Sequence, residues 1–279
     1  MNIIVTGSDG WIGKHVCQQL DQLDIGYYGF DRKTNYDLNS PEGRREFQFA
    51  LTDVDAVIHL AARPRIPLSW GSTSAYIKDN IELTEYVAQM CATFGVHLVF
   101  ASSSSVYGDG AGPLNPYSWT KQSGEQIIEA YSRSMDLSYT ICRIFTCYGE
   151  DAPYGDKGLV IGNWLHSALN GKPILLRGGG QQRRDFVHVD DVADALIKAA
   201  GYKLKNVTLD LGTGQNWSLE EIASLFNCPI ITEQELLGYA KDTRANTNQA
   251  TELLGWSATR LLPDWIKTLD LNRPSTQDG

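Results

Sequence analysis

The sequence predicts an α/β fold, a doubly wound parallel sheet with a smaller C-terminal lobe, on three observations. Apolar runs of strand length alternate with helix-length amphipathic segments through the first half of the chain. The first such run starts at the second residue and ends in a glycine-rich turn, TGSDGWIG, which opens a helix. After Gly149 the rhythm changes to a loop, a helix and short apolar runs around a glycine turn. At 279 residues the chain suits one large α/β unit, alone or with a small lobe.

Strands are expected at 2–6, 26–31, 56–61, 97–102 and 138–143. Helices are expected at 12–23 and 76–93, the second because Ile77, Ile81, Thr84, Ala88 and Cys91 share one face. That alternation implies right-handed crossovers and parallel pairing. Downstream, 150–158 reads as a loop, 158–171 as a helix, and 173–189 as a pair of short strands around a glycine turn. Helix returns at 190–200 and strand at 207–211, while Ser218 and Glu221 form a capping-box pattern. Residues 1–148 are thus assigned to the main α/β unit. Residues 149–279 are assigned mainly to the lobe, with some segments handed back to the sheet.

A net charge of −9 argues against non-specific binding to nucleic acid or to an anionic membrane. Single arginines and helix N-termini can still hold a small anion. The five cysteines (Cys17, Cys91, Cys142, Cys147, Cys228) are odd in number and form no CxxC pair, so reduced thiols are expected and no metal. No apolar run reaches membrane-spanning length, and Met1 leads directly into the first strand, NIIVTG. A soluble, cytoplasmic protein is the expectation.

Gly7, Gly10 and Gly13 lie between the first strand and the first helix. Glycine at such positions lets the chain turn tightly, approach a pyrophosphate and pack helix on strand, with the helix N-terminus facing the anion. A glycine triplet alone fits any tight turn. Here the second strand ends at Asp31, at the spacing expected for an acidic ligand of a ribose. The pair reads as a Rossmann-type dinucleotide site. Asp31 would repel a 2′-phosphate and favour NAD, whereas Arg32 and Lys33, next in sequence, are the features that would suit NADP. Asp37 and Leu38 stand where the adenine would lie.

NPYSWTKQSGE places Tyr117 and Lys121 four apart, on one face of a helix that Asn115 and Pro116 would start. The spacing alone is common. Its position after the fourth strand, at the sheet edge where ligands bind, gives it a chemical reading as a tyrosinate base. Bringing a phenol of pKa about 10 into use near pH 7 takes roughly 4 kcal/mol, which Lys121 and an oxidised nicotinamide could supply as nearby positive charges.

Gly7-x-x-Gly10-x-x-Gly13, HLAA at 59–62, SSSSVYG at 102–108, Tyr117-x-x-x-Lys121, RIFTCYG at 143–149, RDFVHVDDV at 184–192 and LLGW at 253–256 occur in that order. Over essentially its whole length the chain therefore resembles the extended short-chain dehydrogenase/reductase superfamily, in its nucleotide-sugar epimerase/dehydratase branch. The resemblance implies NAD on the N-terminal half and a nucleotide diphosphate sugar on the C-terminal lobe. It implies Tyr117 as base, Ser103 bonding the reacting hydroxyl, and Lys121 holding Tyr117 and the nicotinamide ribose. Trp11, Ile12, Leu60, Ala61, Ala62, Asn80 and Ala101 would join the cofactor set. Ser104, Ser105, Thr146, Arg184 and Arg244 would meet the substrate, the two arginines at the diphosphate. A homodimer packed through the helices carrying Asn80 and Tyr117 is also implied.

The chain departs from the pattern at four places. Thr146 stands where many relatives have asparagine, Pro67 replaces a frequent arginine upstream of Ser69, and Asn246 replaces an aspartate. The connection from Ser103 to Tyr117 is short, at 14 residues. A 4,6-dehydratase or a uronate decarboxylase of this branch would carry carboxylates where this chain has Ser104 and Ser105. Serine hydroxyls do not serve as acid or base at neutral pH without a partner. By elimination the expectation is a UDP-hexose 4-epimerase. The alternatives are a dehydratase or decarboxylase, an NADP-dependent keto-sugar reductase, and a non-catalytic binding module.

Overall fold

The computed structural model describes residues 1–34, 36–155, 158–234 and 237–271. Its strands are β1 (Asn2–Thr6), β2 (Gly26–Phe30), β3 (Ala56–His59), β4 (His97–Ser103), β5 (Tyr139–Ile144), β6 (Thr146–Tyr148), β7 (Ile174–Arg177), β8 (Arg183–Arg184), β9 (Phe186–His188), β10 (Val207–Leu211), β11 (Trp217–Ser218) and β12 (Ile230–Glu233). Six of them form one parallel sheet in the order β10-β5-β4-β3-β1-β2.

The helices are α1 (Trp11–Gln22), α2 (Pro41–Ala50), α3 (Ile66–Gly71), α4 (Thr73–Tyr76), α5 (Leu83–Phe94), α6 (Pro116–Met135), α7 (Val160–Leu169), α8 (Val189–Tyr202), α9 (Leu219–Ser224), α10 (Asn248–Leu254) and α11 (Leu262–Thr268). Successive strand residues face opposite sides, so Ile3 and Val5 enter one core and Ile4 the other. The first core joins β1, β3 and β5 to α1, α8 and α10 through Val16, Leu20, Leu196 and Leu254, with Trp256 just beyond α10. The second packs Phe47, Val87, Cys91 and Ile128 of α2, α5 and α6 beneath Phe100 and Ile141. Burying both faces accounts for the near-continuous apolar runs in these strands.

The chain after Gly149 supplies β10 and α8 to this sheet and its flank, and builds a third core around Tyr148, Trp164, Leu176, Phe186, Phe226 and Trp265. Two expectations are corrected. The segment 173–189 is not one pair of strands around a turn but three strands, none paired with another. Gly178, Gly179 and Gly180 all take positive φ and redirect the chain, so β7 pairs with β12, β8 with β11, and β9 with β6. The helix expected at 76–93 is interrupted by a π-helical turn, Ile77–Glu82, between α4 and α5. There Asn80 turns inward and is fully buried. The loop expected at 150–158 is described except for Asp156 and Lys157, which lie outside the described residues.

Candidate active site

The carboxyl ends of β1, β2, β3 and β4 open onto a cleft of about 1400 Å³ that continues across to the C-terminal lobe. Gly7, at φ +75°, donates its N–H to the Phe30 carbonyl at 2.6 Å; a Cβ there would stand 2.8 Å from the backbone nitrogen of Ala61. A Cβ on Gly13 would overlap the Gly7 carbonyl oxygen. The loop therefore needs both glycines to lie flat against α1 and β3. Gly10 caps α1 without a side chain, leaving the positive end of that helix exposed to the cleft with Trp11 and Ile12 beside it.

Asp31 is fixed by two backbone donors, Asp9 N–H at 3.2 Å and Lys33 N–H at 2.9 Å. Arg32, half of the case for NADP, directs its guanidinium at the Asp79 carboxylate, 3.5 Å away, and Lys33 reaches the Asp9 carbonyl at 3.1 Å. Asp37 and Leu38 line the same end of the cleft, as do Leu60, Ala61 and Ala62. Those last three follow a buried polar chain: His59 lies 2.7 Å from Thr6 Oγ1 and 3.2 Å from Thr84 Oγ1, and the Ala61 N–H donates to Thr6. Burial pushes His59 down to about 3, so the imidazole is neutral.

Tyr117, Lys121 and Ser103 come together where β4 ends. Asn115 caps α6 by accepting from the Ser118 N–H at 2.8 Å, with Pro116 in the first turn. This start puts Tyr117 and Lys121 one turn apart, facing β4. Lys121 Nζ donates to the Ala101 carbonyl at 2.7 Å and lies 4.7 Å from the centre of the Phe100 ring. Burial pushes Lys121 down to about 8, opposed by Glu125. Burial raises the Tyr117 phenol, opposed by a hydrogen bond to Ser103 and by the charge of Arg65. Ser103 Oγ also meets Ser105 Oγ at 2.9 Å, while Ser102 is turned away to donate to Glu125. Arg143 grips that same Glu125 with two bonds, at 3.0 and 2.6 Å, and so ties α6 to β5.

Ser104 and Ser105 line the cleft beside Ser103, and Thr146 and Arg184 line it too. Arg184 is buried, and its guanidinium donates to the carbonyls of Arg183 and Ala240 and to Gln182 Oε1, all neutral acceptors. A buried cation bonded in this way suits an anionic ligand. Two expected residues lie elsewhere. Asn80 does not line the cleft; it accepts from the Arg63 N–H at 2.6 Å and donates to Thr120 at 3.0 Å, behind the wall. Arg244 is exposed in a separate depression beside Tyr107, Asp109 and Lys241. Arg65, Tyr239 and Arg177 line the cleft and were missed, as was Tyr154, which stacks on His166 at 4.1 Å. None sits in a spaced motif, so only their tertiary placement reveals them.

Such a sheet, with a glycine loop, an acidic residue closing β2 and a Tyr–Lys–Ser cluster at its edge, defines a dinucleotide-dependent enzyme with a second ligand across the cleft. The NAD dependent epimerase/dehydratase family model matches residues 3–212, and the chain belongs to that family. It is 30% identical to a putative UDP-glucose 4-epimerase of Methanocaldococcus jannaschii, over 95% of this chain and 96% of the relative. It is equally 30% identical to a UDP-glucuronate 4-epimerase of Thermodesulfobacterium geofontis, over 95% and 93%. Among solved structures, MoeE5 in complex with UDP-glucose and NAD superposes with a TM-score of 0.88 at 30% identity, covering 96% of this chain and 97% of that one.

Proposed function

We propose that the protein is an NAD-dependent nucleotide-sugar 4-epimerase acting on a UDP-hexose. The observation that carries this is the placement of carboxylates. Among the described residues that line the cleft, the acids are Asp31, Asp37 and Asp79, all toward the glycine loop and none beside Ser103 and Tyr117. Dehydration or decarboxylation needs an acid or base beyond the tyrosine, and the sugar end of the cleft offers hydroxyls. The engagement of Arg32 with Asp79 weighs against the NADP-dependent reductase.

In this reading the helix N-terminus at Gly10 and the flat turn at Gly7 receive the pyrophosphate of NAD, and Asp31 accepts from its adenosine ribose. NAD, when bound there, would supply hydride acceptance and return at the sugar carbon. Tyr117 takes the proton of the C4 hydroxyl, with Ser103 aligning that hydroxyl and Lys121 keeping positive charge nearby. The same groups return the proton after the 4-keto-sugar has turned over. Arg184 anchors the diphosphate throughout, while Ser104, Ser105 and Thr146 leave the ring small, non-committal neighbours. Asn80 acts from behind the wall and Arg244 has no direct part. Residues 1–148 form the cofactor half and most of 149–279 the substrate lobe. A cytoplasmic homodimer is the matching assembly; among the described residues no helix is long and apolar enough to cross a membrane.

The test is a panel of UDP-glucose, UDP-galactose, their N-acetyl forms and the two uronates, with catalytic NAD. Interconversion of one pair without net dinucleotide reduction is expected. No interconversion, or stoichiometric consumption of dinucleotide, would overturn the reading.

A further inference from the structure

Between β3 and α3 the chain passes through Arg65 at φ +97°, ψ 109°, a backbone conformation that non-glycine residues rarely adopt. Three groups hold it there. Asn80 clamps Arg63 through both its N–H and its carbonyl, at 2.6 and 3.1 Å. Asp79 pairs with the Arg63 guanidinium at 2.5 Å. The Tyr76 hydroxyl, on a buried side chain, lies 2.8 Å from the Pro64 carbonyl and 2.7 Å from that of Arg65 itself. Asp79 and Asn80 belong to the π-helical turn, and such turns recur at functional sites. The ring of Tyr76 packs edge-on against Tyr117, centroids 6.4 Å apart.

We propose that Arg65 is a positioning residue for Tyr117, whose guanidinium, held on the cleft wall by this clamp, is a second positive charge favouring the phenolate. The inference rests on the epimerase reading for its chemistry. Lys121 directs its ammonium at the Ala101 carbonyl and over the Phe100 ring, and Arg65 adds a further cation to the charge that Lys121 brings. Arg65 lines the cleft and acts on Tyr117, Tyr76 and Tyr239. The groups that face Tyr117 are the cation Arg65, the phenol of Tyr76 and the hydroxyl of Ser103, with Lys121 one turn further along α6. Glu125 acts on the lysine from the next turn of α6, and Arg63 on Tyr76.

Arg65→Gly removes the charge and relieves the backbone at once. The expected result is an unchanged or raised Tm, with the acid limb of the kcat/KM–pH profile moved up by about one unit. That shift means a roughly tenfold loss near pH 7 that vanishes above both pKa values. Arg65→Lys should restore most of the limb. Independently of turnover, titrating the tyrosinate absorption of the NAD-loaded protein, with Tyr117→Phe as the blank, reads Tyr117 directly. Its midpoint should rise in Arg65→Gly. An unmoved midpoint would overturn the proposal, as would a lowered Tm with an unmoved acid limb, which marks a structural arginine. If wild-type protein turns over no UDP-sugar, the epimerase reading falls while the titration still decides the role of Arg65.

Discussion

Tyr117 sits in a conflict between burial, which favours the neutral phenol, and the hydrogen bond and charge that Ser103 and Arg65 bring to it. Without the hydroxyl the proton has no acceptor, so Tyr117→Phe should cut turnover by about a thousandfold or more while NAD binding persists. Turnover assays beside cofactor titration would check both halves. Asp31 is prearranged by the Asp9 and Lys33 N–H groups, which hold its carboxylate toward the cleft. Asp31→Ala should weaken NAD roughly tenfold or more and narrow the gap to NADP, measured by calorimetry with each dinucleotide. These residues were legible in the sequence because their signal is local. Glycines three apart, an acid at a strand end and a tyrosine one turn before a lysine need no knowledge of the rest of the chain. Arg65 was illegible for the opposite reason: its φ is imposed by Tyr76, Asp79 and Asn80, and nothing in PRIP announces it.

At the scale of elements, the β1–α1 turn and the start of α6 both line the cleft. Gly13→Ala would drive a methyl into the Gly7 carbonyl, so the turn must open and α1 must back away from β1. A fall in NAD affinity of at least tenfold, with retained helical content by circular dichroism, is expected. The five strands expected before Gly149 all formed, with ends moved by at most two residues; β1, β3, β4 and β5 are buried on both faces, while β2, at the sheet edge, is partly exposed. The helix at 76–93 was half right. Of its expected face Thr84, Ala88 and Cys91 are buried, but Ile77 and Ile81 are only half-buried, because the side-chain demands of Asp79 and Asn80 insert the π turn, and periodicity carries no sign of that.

Over the whole molecule, the RDFVHVDDV motif is a structural hub. Asp185 accepts from Thr213, Gly214 and Ala245, and Asp191 from the backbone and side chains of Thr259 and Arg260, so two carboxylates pin distant loops to β9 and α8. Asp191→Ala removes the acceptor of the part-buried Thr259 and Arg260 N–H groups and should cost about 2 kcal/mol in urea unfolding. None of these contacts, nor the pairing of β7 with β12, could be read from sequence, since each joins segments tens of residues apart without a periodic signature. His59 and His97 add a pH dependence. Burial holds them at about 3 and about 4 in the folded state, below the unfolded value of about 6.5. As pH falls below that value the unfolded chain takes protons the folded chain refuses. Stability should therefore drop by up to about 1.4 kcal/mol per pH unit for each histidine, from about pH 6.5 to about pH 4.

The central claim is that hydride leaves the sugar and returns to the same carbon without leaving the cleft. The direct measurement uses the UDP-sugar pair identified by the panel, deuterated at C4, incubated with the protein and an excess of unlabelled free NAD. Product epimer that keeps its deuterium at C4, with none in the free dinucleotide, is the predicted result. Deuterium washed into the free pool, or product labelled at no sugar carbon, would contradict it.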